Sequence, residues 1–173
     1  MDAIAQAWLE VAQATPWDAL LEPVPGLGRT PLALTVDALV GIAALTDALV
    51  SGWFHWPGNP RTGELGDASV VAYEASIVAG IRDRDDLLAF ARPVVRAWRD
   101  GVGEHEDALR SEPDRMVDAP RGALTLVELL EAQRLHAAQH YRQATTFLAA
   151  QGQPIPTLDF DSLYGLRLPD AIC

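Results

Sequence analysis

PLALTVDALVGIAALTDALV, residues 31–50, is apolar on nearly every face of a helix and carries an acid, Asp37, near its middle and a second, Asp47, near its end. A stretch this long and apolar is either a membrane span or the buried centre of a helical bundle. Two aspartates and two threonines inside it, with Pro- and Gly-rich loops alongside, fit the buried helix. Thr30-Pro31 opens it, a hydroxyl cap followed by proline in the first turn, and it is expected to run to about Ser51. Asp37 is the only ionisable side chain between Arg29 and Asp47, and its helix neighbours Leu34, Val40, Gly41 and Ala44 turn it toward the core. Ionised carboxylates are almost never fully buried without a partner, because desolvating the charge is costly. Asp37 therefore either accepts hydrogen bonds from a histidine or arginine, or it ligates a metal ion.

Three further principal helices flank this one. Asp2 to about Thr15 carries the apolar stripe Ile4, Ala7, Trp8, Val11 and Ala12, with Asp2 as cap and Pro16 as stop. WDALLEPVPGLGR (17–29) reads as a loop. Residues 68–81, ASVVAYEASIVAGI, read equally as a short helix or an ordered connection. A helix from about Asp83 to Gly101 buries Leu87, Leu88, Phe90, Ala91, Val94, Val95 and Trp98. The acidic stretch that follows, GVGEHEDALRSEPDRMVDAPRG (101–122), reads as an irregular crossover. Thr125-Leu-Val-Glu128 is a capping box opening the last principal helix, which ends near Gln151. No segment shows strand alternation, and the tail from Pro154 reads as an extended strip over the bundle. The expected fold is one all-α domain, 1–173, a four-helix bundle with long connections.

Composition narrows the partners. A formal charge of −11 and a pI near 4.6 oppose nucleic acid, since the thirteen cations are all arginines dispersed among carboxylates. The single cysteine, Cys173, allows no intramolecular disulfide, and MDAIAQAWLEVAQ lacks the basic leader and apolar run of a signal peptide. A cytoplasmic protein acting on a small molecule, with no membrane partner, is the expectation.

The strongest chemical signal is LHAAQHYRQ, residues 135–143. His136 and His140 lie at i, i+4, on the stripe Leu129, Ala132, His136, His140, Gln143, Phe147. Two imidazoles so spaced can bind one ion or satisfy buried backbone groups. The pattern lacks the glutamate of the zinc-protease HExxH motif. Joined to Asp37 they make a two-histidine, one-carboxylate set with open coordination positions. Gln139 or Gln143 would orient the imidazoles by hydrogen bonds from outside. Arg142 either holds a substrate carboxylate or pairs with an acidic neighbour. The loop aromatics Trp53, Phe54 and Trp56, with His55, either wall a pocket mouth or form a homodimer contact. His105 reads as solvated, and Cys173 lacks a positioned base.

TLVELLEAQRLHAAQHYRQATTFLAAQGQPIP (125–156), followed by YGLRLPDAI (164–172), resembles the C-terminal part of DinB/YfiT-like proteins. GLGRTPLALTVDALV (26–40) resembles that family's entry into its second helix. The resemblance implies a four-helix bundle holding a divalent ion by three side chains. His136 and His140 match two of them, and Asp37 stands where those relatives carry a histidine. Aspartate there keeps an acceptor and adds negative charge, which would shift preference from zinc or nickel toward manganese or iron, or abolish the site. Cys173 stands near where tryptophan is usual. The enzymes of that family resemble S-transferases and isomerases that use a low-molecular-weight thiol, and that chemistry is what the resemblance implies here. The alternative, from another class, is a non-catalytic ligand-binding or dimeric stress protein whose polar cluster is a remnant.

Overall fold

A computed structural model of the chain describes residues 1–54, 67–112, 114–118 and 122–156. In order these form α1 (Asp2–Ala14), α2 (Trp17–Leu21), α3 (Pro31–Ser51), α4 (Asp67–Gly80), α5 (Arg84–Ser111), β1 (Met116–Val117), β2 (Leu124–Thr125) and α6 (Leu126–Ala150). The protein is mostly helical, as its periodicity predicts. His55, Trp56, Cys173 and the tail from 157 onward lie outside the described residues, as does the side chain of His105.

α3 is the centre of the fold. It packs against α1, α4, α5 and α6, and that enclosure on all sides explains why its sequence lacks a polar face. By length and composition it would also pass for a membrane span, but most of it is buried among the other helices. Its start follows the sequence signal: Thr30 Oγ1 accepts from the amide of Ala33 at 3.1 Å, and Pro31 occupies the first turn. Its end is Gly52 in the left-handed region at φ 70°, whose N–H donates to Ala48 O. Replacing Thr30 by Ala should cost about 1 kcal/mol, read as a lower urea midpoint at unchanged slope.

Burial supports the predicted faces. Ile4, Ala7, Trp8, Val11 and Ala12 of α1 and Leu87, Leu88, Ala91, Val95 and Trp98 of α5 are buried, while Phe90 and Val94 are half-buried against the same core. Several boundaries differ. Met1, not Asp2, holds the cap position of α1. Trp17–Leu21, expected as loop, is a short helix because Ala19 and Leu20 find core space. Residues 67–80 resolve as α4. α5 runs ten residues past Gly101, through the stretch expected to be irregular. Its interior Pro93 faces solvent, where a missing amide bond is least costly.

The remaining connection contains two short strands that periodicity could not reveal at two residues each. β1 and β2 pair antiparallel, Met116 with Thr125 and Val117 with Leu124. Trp53 bridges Asp118, and Phe54 N–H donates to Asp118 O at 2.7 Å. These bonds tie the C-terminal end of α3 to the start of α6, so α6 returns antiparallel to α3. Asp37 lies fourteen residues back from Ser51, and His136 and His140 lie ten and fourteen residues on from Leu126. At 1.5 Å per residue these are matching rises of about 15–21 Å, which brings the acid and the imidazoles level.

Candidate metal centre

Asp37 is buried, and its carboxylate has three cationic or imidazole partners. His136 Nε2 lies 3.0 Å from Oδ1, and His140 Nε2 lies 3.0 Å from Oδ2. Arg29 Nη1 donates to Oδ2 at 2.6 Å. The two alternatives for Asp37, pairing and ligand geometry, thus coexist in one cluster. The imidazole rings stand edge to face, centroids 4.6 Å apart, so both Nε2 atoms aim at the same carboxylate.

The histidine stripe occupies the margin of the core. α6 buries Leu126, Leu129, Gln133, Ala137, Ala138, Tyr141, Ala144, Thr145 and Leu148, while Ala132 is exposed. The side chains of His136 and His140 are 32% and 14% exposed against 7% for Asp37, so the cluster is open on the His136 side and closed beneath.

Gln143 Oε1 lies 2.9 Å from His140 Nδ1. With the Gln143 amide oxygen accepting, Nδ1 carries the proton and Nε2 turns its lone pair to Asp37 Oδ2; with the amide reversed, Nε2 carries the proton and donates to Oδ2 at 3.0 Å. In the first tautomer Nε2 and Oδ2 are two acceptors converging on one point, which a shared proton or a metal ion beside them satisfies.

Two further residues complete the cluster. Arg29 Nη2 donates to Glu74 Oε2 at 3.2 Å and to Ala33 O at 3.4 Å, so the guanidinium bridges two carboxylates while remaining about one-third exposed. Burial and the neighbouring Asp37 carboxylate push Glu74 up to about 7, with Arg29 opposing them. For Asp37, burial also works upward, but hydrogen bonds and charge from His136 and His140 outweigh it and hold the carboxyl well below its usual range.

Neither Arg29 nor Glu74 stands out in the sequence as a site residue. Glu74 carries the same signal as Asp37: it is the only acid in ASVVAYEASIVAGI. Arg29 is eight residues from Asp37, beyond the helical neighbour spacings, and reaches it because the 24–29 loop folds back, Val24 N–H donating to Arg29 O at 2.8 Å. Arg142, read as holding either a substrate carboxylate or an acidic neighbour, is exposed on α6, and the arginine meeting the cluster is Arg29. Trp53 sits just past the far end of α3, whose last residue is about 21 Å by helical rise from Asp37, rather than beside it. Gln139 is half-buried between the two histidines in sequence. A cavity of about 400 Å³ lined by Glu10, Gln13, Ala14, Pro154, Ile155 and Pro156 shares no residue with the cluster.

The donor set fits a divalent ion. One ligand atom each from Asp37, His136 and His140 all lie within 4.8 Å of one another. Bonds of about 2.0–2.2 Å at tetrahedral angles place ligand atoms roughly 3.3–3.5 Å apart, a few tenths of an ångström wider than the 3.0 Å contacts here. These three residues could hold a metal ion with small side-chain adjustments. Compared with protein-family models, curated proteins and solved structures, the chain matches none.

Proposed function

We propose that Asp37, His136 and His140 form the divalent-metal site of a small-molecule enzyme, on a four-helix bundle of DinB/YfiT-like type. The observation that supports this most is the convergence of one ligand atom each from Asp37, His136 and His140, all within 4.8 Å of one another. When bound, the ion would supply Lewis acidity, lowering the pKa of a water or thiol presented to it. Gln143 orients the His140 ring, and Arg29 orients the Asp37 carboxylate. The part-exposed His136 edge is the side from which a small substrate approaches, while the apolar wall of α3 excludes water below. Transfer of a thiol to an electrophile, or a thiol-dependent isomerisation, is the favoured reaction class, by resemblance of 125–156 and 26–40.

A second reading rests on Arg29. Its guanidinium already neutralises Asp37, and with a protonated His140 the cluster is satisfied without metal. That is the non-catalytic bundle. Metal analysis of protein purified without an affinity tag separates the two. The enzyme reading expects about one equivalent of a transition metal per chain, lost in His140→Ala, and a melting temperature that rises on adding metal to stripped protein. Metal well below one equivalent, with an unmoved melting temperature, supports the remnant.

A further inference from the structure

We propose that Arg29 sets the metal preference of the cluster: by neutralising Asp37 and occupying Oδ2, it makes a carboxylate site select ions as a neutral imidazole site does. The inference rests on the metal-site reading above and adds to it a residue outside the ligand set.

Aspartate beside two histidines would ordinarily favour harder ions, because a carboxylate brings a full negative charge and two oxygens. Manganese draws its affinity chiefly from anionic oxygen, whereas zinc, nickel and cobalt gain more from imidazole nitrogen. Here both contributions of the carboxylate are curtailed. Arg29 Nη1 sits 2.6 Å from Oδ2, leaving Oδ1 as the oxygen the guanidinium does not engage. The Asp37–Arg29 pair has no net charge, so His136, His140 and the pair together carry the formal charge of three neutral imidazoles, while Glu74, when ionised, adds one negative charge that shares the same guanidinium.

The guanidinium is held in place for this. Nη2 donates to Glu74 Oε2 at 3.2 Å and to Ala33 O at 3.4 Å, so one planar fork spans two acids and a first-turn carbonyl. Arg29 precedes the α3 cap, where Thr30 fixes the backbone. Glu74, the second acid, faces Arg29 rather than joining the three converging ligand atoms.

The test is the ratio of zinc to manganese affinity, measured by chelator competition on stripped protein for the unaltered chain and for Arg29→Gln, Arg29→Met and Arg29→Lys. The two neutral replacements serve the same purpose, so misfolding of one, judged by circular dichroism, leaves the other. Both are expected to lower the zinc-over-manganese ratio by about tenfold or more, within the range that outer partners of ligands control. Arg29→Lys, which keeps the charge, should retain most of the original ratio. An unchanged ratio in the neutral variants, or an equal fall in Arg29→Lys, overturns the proposal and leaves the metal site standing. If the unaltered chain binds neither ion, the metal-site reading itself fails, and this inference falls with it.

Discussion

Asp37→Asn is expected to abolish stoichiometric divalent-metal binding and to lower stability by about 3 kcal/mol. Asparagine keeps the shape of the side chain and removes its charge. His136 and His140 then face an amide, and Arg29 retains only Glu74 as an anionic partner. Removing one member of a buried pair typically costs 3–5 kcal/mol, and the lower end applies because Arg29 is about one-third exposed. Urea unfolding reads the stability change, and equilibrium dialysis with zinc reads the site. A variant that keeps one equivalent of metal would remove Asp37 from the ligand set. One that loses less than about 1 kcal/mol would show the cluster to be solvated rather than structural.

Trp8→Ala is expected to cost about 3–5 kcal/mol, the largest single-residue effect on stability. Trp8 is fully buried and meets Tyr141 edge to face, centroids 5.4 Å apart. Its indole Nε1–H donates to Ala137 O at 3.2 Å, on the turn of α6 that carries His136 and His140. Truncation leaves a void between α1 and α6 and removes that bond beneath the histidine pair. The chain should unfold at lower urea with unchanged slope. A loss under about 1.5 kcal/mol would mean that α1 docks on α6 more loosely than the packing shows.

The fold was legible wherever a single helix face had to bury apolar residues. α1, α3 and α6 declare themselves through Trp8 and its stripe, Thr30-Pro31, and the Thr125–Glu128 capping box, which forms in full. What escaped had no periodic signal. β1 and β2 are two residues each, and α2 is a single turn and a half stabilised by tertiary burial of Leu20. The extension of α5 beyond Gly101 was hidden by an acidic composition that reads as solvated loop.

The candidate site was half legible. Asp37, His136 and His140 are each conspicuous, a lone acid in an apolar helix and an i, i+4 pair, and the structure brings them together. Arg29 and Glu74 complete the electrostatics through a loop reversal and through α4, contacts that depend on tertiary geometry. Their presence changes the chemistry. A carboxylate paired with arginine is a weaker attractor of hard cations than the same carboxylate alone.

X-ray absorption at the zinc edge, on tag-free protein loaded with one equivalent of zinc, addresses the central claim most directly. Two imidazole nitrogens and at least one oxygen should appear at about 2.0–2.2 Å, and His140→Ala, which no longer retains the ion, should show only the oxygen shell of aqueous zinc. Absence of imidazole scattering, or a spectrum that His140→Ala leaves unchanged, would contradict the account. The convergence of Asp37, His136 and His140 would then be an ion-paired cluster that holds no metal.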